Sequence, residues 1–283
     1  MNIRKHSSLY VPAVLLLLTA LVAGCGGTDQ TEAPQAPAVQ DATSAPPSTG
    51  ATIGIFRPGS KAFALSVTFT PGFNHNTVRF GTEEDLPVAG DWDGNGFAKV
   101  GVYTPSDSTF RLVDKNVTIG EPVVTTVPFG MKGDIPVAGD WDGNKTATIG
   151  VYRPGDSTFS LRNTNTPGKP DVVVAFGQKG DIPVTGDWDG NGTWTIGVYR
   201  PGDSTFYLRN SNTPGEADVT VLFGAAGDTP VVGDWDGNGT TTVGVRQGIT
   251  FHLRNENSSG AADIRMAFAN HDDKPVAGKW SRD

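Results

Sequence analysis

Four times the chain sets oxygen-bearing side chains at alternate positions of a glycine-flanked loop. These are Asp91, Asp93 and Asn95, then Asp140, Asp142 and Asn144, then Asp187, Asp189 and Asn191, then Asp234, Asp236 and Asn238. Alternate oxygens folded inward by a tight glycine turn suit a hard cation of flexible coordination, such as calcium. The pattern is not an EF-hand. Its twelfth position, where a bidentate glutamate would stand, is Val102, Val151, Val198 and Val245, each inside strand-like sequence. The same side chains can also cap their own turn by accepting nearby backbone N–H groups, and the spacing leaves both uses open.

Each trio lies within the word G-D-W-D-G-N, which begins at Gly90, Gly139, Gly186 and Gly233; a worn fifth copy, G-K-W-S, begins at Gly278. The leading glycines are 49, 47, 47 and 45 residues apart. A fixed period of that length marks stacked supersecondary units. The unit around Trp235 reads as four short strands: Pro230 to Trp235, Thr242 to Val245, Thr250 to Asn255 (or Thr205 to Asn210 one unit earlier), and a strand like Val219 to Phe223, closed by Gly224. Alternation puts Phe206 and Leu208 on one face, Tyr207 and Arg209 on the other.

Four strands in a repeat of this size make one propeller blade. The second-strand glycines Gly54, Gly101, Gly150, Gly197 and Gly244 count five units, approximately 52–98, 99–147, 148–194, 195–241 and 242–283. An all-β, five-bladed β-propeller is therefore expected. The chain enters its first unit at a second strand, Thr52 to Arg57, and leaves its last at a first strand, Lys274 to Trp280. A C-terminal strand should complete the N-terminal blade and close the ring, removing open edges. An open stack would need polar caps, and none is visible.

The pattern F-G-x-x-G-D-x-P-V-x-G-D-W-D-G-N-G-x-x-x-x-G-V-Y-R-P is carried by Phe176-Gly177, Gly180-Asp181, Pro183-Val184, Gly186 to Gly192 and Gly197 to Pro201. It resembles the FG-GAP or VCBS-type repeat, related to the propeller repeats of integrin α subunits, and the resemblance covers residues 52–283. That resemblance implies calcium loops on one face of the propeller and a binding role. It also implies an aspartate at the ninth loop position, where this chain has Lys99, Thr148, Thr195 and Thr242. Each missing carboxylate removes a ligand and a charge, so weak structural calcium sites are expected. Lys99 brings a cation to the first loop, and Lys145 replaces a glycine in the second. The third and fourth loops are the stronger calcium candidates.

The N-terminal residues look like an export signal. Arg4 and Lys5 precede an apolar run from Leu9 to Val22, too short to span a bilayer, and Val22-Ala23-Gly24-Cys25 resembles a bacterial lipobox. The chain's one cysteine stands where a diacylglyceryl group would be attached. Residues 1–24 then form a signal peptide, and 25–51, rich in Pro, Ala and Thr, a flexible lipid-anchored linker. The expected location is the bacterial cell envelope, outside the cytoplasm. Gly26 and Gly27 lack the aspartate that, by resemblance to bacterial sorting, favours inner-membrane retention, and either the outer membrane or the outer face of the cytoplasmic membrane fits. Residues 1–24 hold Arg4 and Lys5 but no acid, so their removal takes the formal charge from −8 to −10. So acidic a chain is a poor nucleic-acid binder.

Trp92, Trp141, Trp188, Trp235 and Trp280 recur once per unit, as sugar platforms or as packing wedges; packing is the plainer account. Trp194 occurs in one unit only, where Ala98, Ala147 and Thr241 stand elsewhere, and is the candidate ligand contact. Arg57, Arg153 and Arg200 and the third-strand Arg111, Arg162, Arg209 and Arg254 are expected to serve the fold, for example by pairing with Asp134, Asp181 or Asp228 of the neighbouring unit. His75, His252 and His271 hold unrelated places. No Cys/His metal set, serine nucleophile motif or phosphate-cradling loop is present. The expectation is a monomeric, non-catalytic binding, adhesion or scaffold module with an extracellular protein or glycan partner. A lectin with pockets between blades is the alternative.

Overall fold

The computed structural model describes residues 40–41, 50–69, 75–117 and 120–281. The expected signal peptide, Cys25 and most of the linker lie outside the described residues. Short runs rich in Val, Ile, Thr, Tyr and Phe, punctuated by glycine turns, form strands because alternate side chains can be buried on a pleated surface. Among the described residues the sole helical turn is a 3₁₀ turn at Pro58–Ser60.

The strands build five antiparallel, four-stranded blades. Blade I holds β2 (Thr52–Arg57), β3 (Ala62–Ser66), β4 (His75–Arg79) and, as its inner strand, β21 (Lys274–Gly278). Blade II is β5 (Leu86–Gly90), β6 (Lys99–Thr104), β7 (Thr109–Val113) and β8 (Val124–Pro128). Blade III is β9 (Ile135–Gly139), β10 (Thr148–Arg153), β11 (Thr158–Leu161) and β12 (Val172–Ala175). Blade IV is β13 (Ile182–Gly186), β14 (Thr195–Arg200), β15 (Thr205–Leu208) and β16 (Val219–Leu222). Blade V is β17 (Thr229–Gly233), β18 (Thr242–Gln247), β19 (Thr250–Leu253) and β20 (Ile264–Ala267).

The inner strands β21, β5, β9, β13 and β17 adjoin one another in turn, and the circuit closes between β17 and β21. The expected strand exchange is observed. Thr52 pairs with Gly278 and Phe56 with Lys274, the register that β6 and β5 adopt between Lys99–Gly90 and Tyr103–Leu86. One short strand was not anticipated: β1 (Gln40–Asp41), from the expected linker, runs parallel to Ile264 and Arg265 on the outer edge of blade V. An outer edge presents unpaired N–H and C=O groups, and here linker backbone meets them.

The apolar core is divided into five layers, each between two adjacent blades. Phe206, Leu208 and Val221 of blade IV pack on Val243 and Val245 of blade V; Ile53, Ile55 and Ala64 of blade I meet Trp235, Phe251 and Leu253 of blade V. The alternation expected for Phe206 and Leu208 holds, and Tyr207 packs on the opposite layer. Within four blades an aromatic pair crosses strands: Phe56–Phe63, Tyr103–Phe110, Tyr152–Phe159 and Tyr199–Phe206, with centroids 4.6 to 4.8 Å apart. Each second-strand glycine leaves room for a third-strand leucine. A Cβ on Gly197 would lie 2.9 Å from Leu208 Cδ2.

Closure gives a direct expectation. Deleting residues 274–283 strips blade I of its inner strand and exposes β2 and β5. The truncated protein should lose its single cooperative melt and form oligomers on gel filtration; a monomer with unchanged melting would show that the ring does not depend on β21.

Candidate functional site

The four D-x-D-x-N loops follow β5, β9, β13 and β17 and so share one face of the ring, at the mouth of its central channel. In the third loop Asp187 Oδ1 accepts the N–H of Asn191 at 3.0 Å and its Oδ2 that of Gly192 at 2.8 Å. Asp189 Oδ2 accepts from Asn191 Nδ2 at 3.1 Å, and Asn191 Oδ1 from the N–H of Thr193 at 2.8 Å. The fourth loop repeats this through Asp234, Asp236 and Asn238. The first, through Asp91, Asp93 and Asn95, does likewise. In the second, Asp140 and Asn144 keep their caps, and Lys145 donates its N–H to Asp140 Oδ2 at 2.6 Å with a positive φ of 73°. The other loops have glycine there, at Gly96, Gly192 and Gly239, because a side chain is strained in that conformation. In every loop the leading aspartate and the asparagine thus cap their own turn.

The backbone of the leading residue does more. The carbonyls of Asp91, Asp140, Asp187, Asp234 and Lys279 accept the N–H groups of Ala147, Trp194, Thr241, Ala51 and Ala98, at 2.6 to 2.8 Å. Each bond joins one blade to the next, and the five complete a circuit. Close approach is possible because the strand ends carry glycine. A Cβ on Gly186 would lie 2.4 Å from Thr241 Cγ2.

Charge divides the loops. Burial raises the carboxyl pKa of Asp140, Asp187 and Asp234, and repulsion from Asp142, Asp189 and Asp236 adds to it, against the pull of the backbone N–H groups. In the first loop burial also works to raise Asp93, but the hydrogen bond from Lys99 and its charge bring that carboxyl below its ordinary value. The Lys99 ammonium donates to Asp93 Oδ1 at 2.5 Å, and to Asn95 Oδ1 and the Phe97 carbonyl at 3.2 Å each. A positive charge therefore fits among the oxygens of this loop. Among the described residues no three His, Cys, Asp or Glu side chains gather as a metal cluster, so any divalent ion would rely on Asn and carbonyl oxygens besides the two aspartates.

The tryptophans of the motif are wedges. Trp141, Trp188, Trp235 and Trp280 are at most 5 % exposed. The indole N–H groups of Trp92, Trp141 and Trp188 reach the carbonyls of Val100, Ile149 and Ile196 at 3.2 to 3.4 Å. Trp194 is placed differently. It is half-buried and lines a cavity of about 370 Å³ in the channel mouth, with Ala98, Ala147, Thr241 and Ala51 at the equivalent positions of the other blades. Asp91, Asp140, Asp234, Lys145 and Lys279 stand around the same opening.

The arginines divide into two structural uses. Arg153 and Arg200 each pair with a buried aspartate, Asp134 at 3.0 Å and Asp181 at 2.9 Å, and Arg57 pairs with Asp273 at 3.4 Å. These partners sit in neighbouring sequence units but one blade, because blades begin one strand before the units. Gln247 takes the arginine's place in blade V, opposite Asp228. Three of the third-strand arginines clamp their own long loops instead: Arg162 donates to the carbonyl of Thr166, Arg209 to those of Thr213 and Glu216, and Arg254 to those of Ser258 and Ala261, whereas Arg111, in another register, bonds Thr104 and Asp107. One feature escaped the sequence reading. Arg200 lies 4.3 Å over the ring of Tyr207, beside a groove of about 440 Å³ between blades III and IV. Its only sequence signal is that Ala64, Arg111, Ser160 and His252 replace Tyr207 in the other units.

No protein-family model matches the chain, and no curated protein does. Among solved structures, the V. cholerae biofilm matrix protein Bap1 is similar at a TM-score of 0.26 and 12% identity, over 77% of this chain and 39% of that one. The chain thus spans about two-fifths of the length of that neighbour.

The raised carboxyl of Asp187 has a pH signature. A carboxyl bound more tightly to its proton in the folded state favours folding most below the ordinary value of 3.8 and loses that contribution as pH rises through the raised value. Measured in chelator, the stability of the wild type relative to Asp187→Asn should fall as pH rises from 3.8 and then level. A difference independent of pH would show that the carboxyl is unperturbed.

Proposed function

We propose that this protein is a non-catalytic, extracytoplasmic binding or adhesion module: an FG-GAP/VCBS-type propeller tethered to the cell envelope through a lipid on Cys25. The observation that carries the reading is Trp194. A five-fold ring of small residues surrounds the channel mouth, and one unit breaks it with an indole facing a cavity large enough for a small ligand or a protruding side chain. Calcium is proposed as a structural cofactor of the third and fourth loops, held by Asp187, Asp189 and Asn191 and by Asp234, Asp236 and Asn238; when bound it offsets the repulsion within each carboxylate pair. The partner is an extracellular protein or glycan, and the propeller acts as a monomer. Trp194→Ala restores the residue found at Ala98 and Ala147, so the fold should tolerate it. Capture of partners from native envelopes should drop at least tenfold with melting nearly unchanged; undiminished capture would remove the channel mouth from the binding site.

A second reading is a lectin, and one junction favours it. The motif tryptophans are committed to packing, but Tyr207 and Arg200 line the groove between blades III and IV, where a sugar could stack on the ring. On a glycan array, Tyr207→Ala should abolish hits if this groove is the site; an array on which the wild type shows no hits counts against a lectin.

A further inference from the structure

The first loop differs from the other three at two positions: Phe97 replaces Thr146, Thr193 and Thr240 at the seventh, and Lys99 replaces a threonine at the ninth. Lys99 has a side chain 7% exposed, and its ammonium is 2.5 Å from Asp93 Oδ1, 3.2 Å from Asn95 Oδ1, 3.2 Å from the Phe97 carbonyl and 3.5 Å from Asp91 Oδ1. Four oxygens of one loop converge on one positive charge. Thr148, Thr195 and Thr242 hold the same position in the other loops, and each turns its hydroxyl to the carbonyl of Gly139, Gly186 or Gly233 at 3.2 to 3.3 Å. Among the described residues, no lysine or arginine forms an ion pair with Asp140, Asp142, Asp187, Asp189, Asp234 or Asp236.

A second difference runs the same way. Asn116, Asn165, Asn212 and Asn257 each donate Nδ2 to the residue just before the ninth position, Ala98, Ala147, Trp194 or Thr241. In blade II the oxygen of Asn116 accepts the N–H of Val100 at 2.9 Å. The oxygens of Asn165, Asn212 and Asn257 are buried with no hydrogen-bond partner, as are those of Asn163, Asn210 and Asn255 two residues before them. Buried oxygens without donors are costly, and blade II is spared that cost at Asn116.

We propose that Lys99 is a tethered cation standing where a divalent ion would sit, so that the chain itself offsets charge in the first loop while the third and fourth loops draw a cation from solution. An ammonium supplies one charge and three donors, enough for the aspartate pair to lie together without a metal. Because it is covalently attached, its occupancy does not depend on the medium. For the other loops the idea rests on the calcium reading given above, but for Lys99 it can be tested separately.

The test is a pair of reciprocal substitutions in the full chain, melted in EDTA and in excess calcium chloride and titrated with calcium by calorimetry. Lys99→Thr, which copies the other loops, should melt about 3 °C or more below wild type in EDTA. It should recover that loss in calcium and gain one calcium site. Thr195→Lys should do the reverse, losing one site and becoming less sensitive to EDTA. If Lys99→Thr is unfolded in EDTA, calcium should refold it. The proposal is overturned if Lys99→Thr melts like wild type in EDTA, or if its loss is the same in both media with no added site. A wild type that ignores calcium while Lys99→Thr responds would remove the calcium reading of the other loops and leave Lys99 as the substitute cation. A wild type that responds while Lys99→Thr gains nothing would do the opposite.

Discussion

One backbone hydrogen bond, made five times, sets the dimensions of this molecule. The carbonyl of the residue leading each loop accepts the N–H just ahead of the next blade's second strand, from Asp91 to Ala147 and onward round to Lys279 and Ala98. Each such bond is worth only about 1 kcal/mol net. Its importance is geometric, because it fixes how closely adjacent inner strands approach. Strands drawn together so tightly tolerate glycine at Gly90, Gly139, Gly186 and Gly278, and alanine or threonine opposite. The capping aspartate holds that carbonyl in place by binding its own turn, so side chain and backbone of one residue serve two different purposes.

Much of this was legible because repetition acts as an internal control. Four strands per unit, five units and the offset between first and last strands followed from the spacing of glycine and tryptophan. The burial of Trp141, Trp188, Trp235 and Trp280 followed from their place at the end of an inner strand. The circuit of interblade bonds was not legible, since backbone groups carry no residue-specific mark. Nor was the loop clamp of Arg162, Arg209 and Arg254: the aspartate nine residues ahead of each, Asp171, Asp218 or Asp263, repeats with it, but the carbonyls it also binds leave no mark in the sequence. The stacked pair Arg200 and Tyr207 is visible only once two strands lie side by side.

The chemically distinctive residues are those that break the symmetry. Trp194 interrupts a ring of small side chains, Tyr207 interrupts a position held elsewhere by unrelated residues, and Lys99 interrupts a series of threonines. A repeated residue must satisfy the same packing in every blade, so it has little freedom to recognise anything. A residue present once is released from that demand. In a quasi-symmetric ring, candidate sites are therefore sought among the exceptions to the repeat.

The pairing of β2 with β21 also bears on how the protein can acquire its structure. Arg57 and Asp273, partners in one blade, are 216 residues apart. Blades II to V are each built from contiguous chain, and they can form as local hairpins in any order. Blade I cannot, because its inner strand β21 comes after all the other blades along the chain. Ring closure thus spans the longest loop described and carries the largest entropic cost. Until it occurs, β2 remains an open edge, and the incomplete ring is vulnerable to misassociation there.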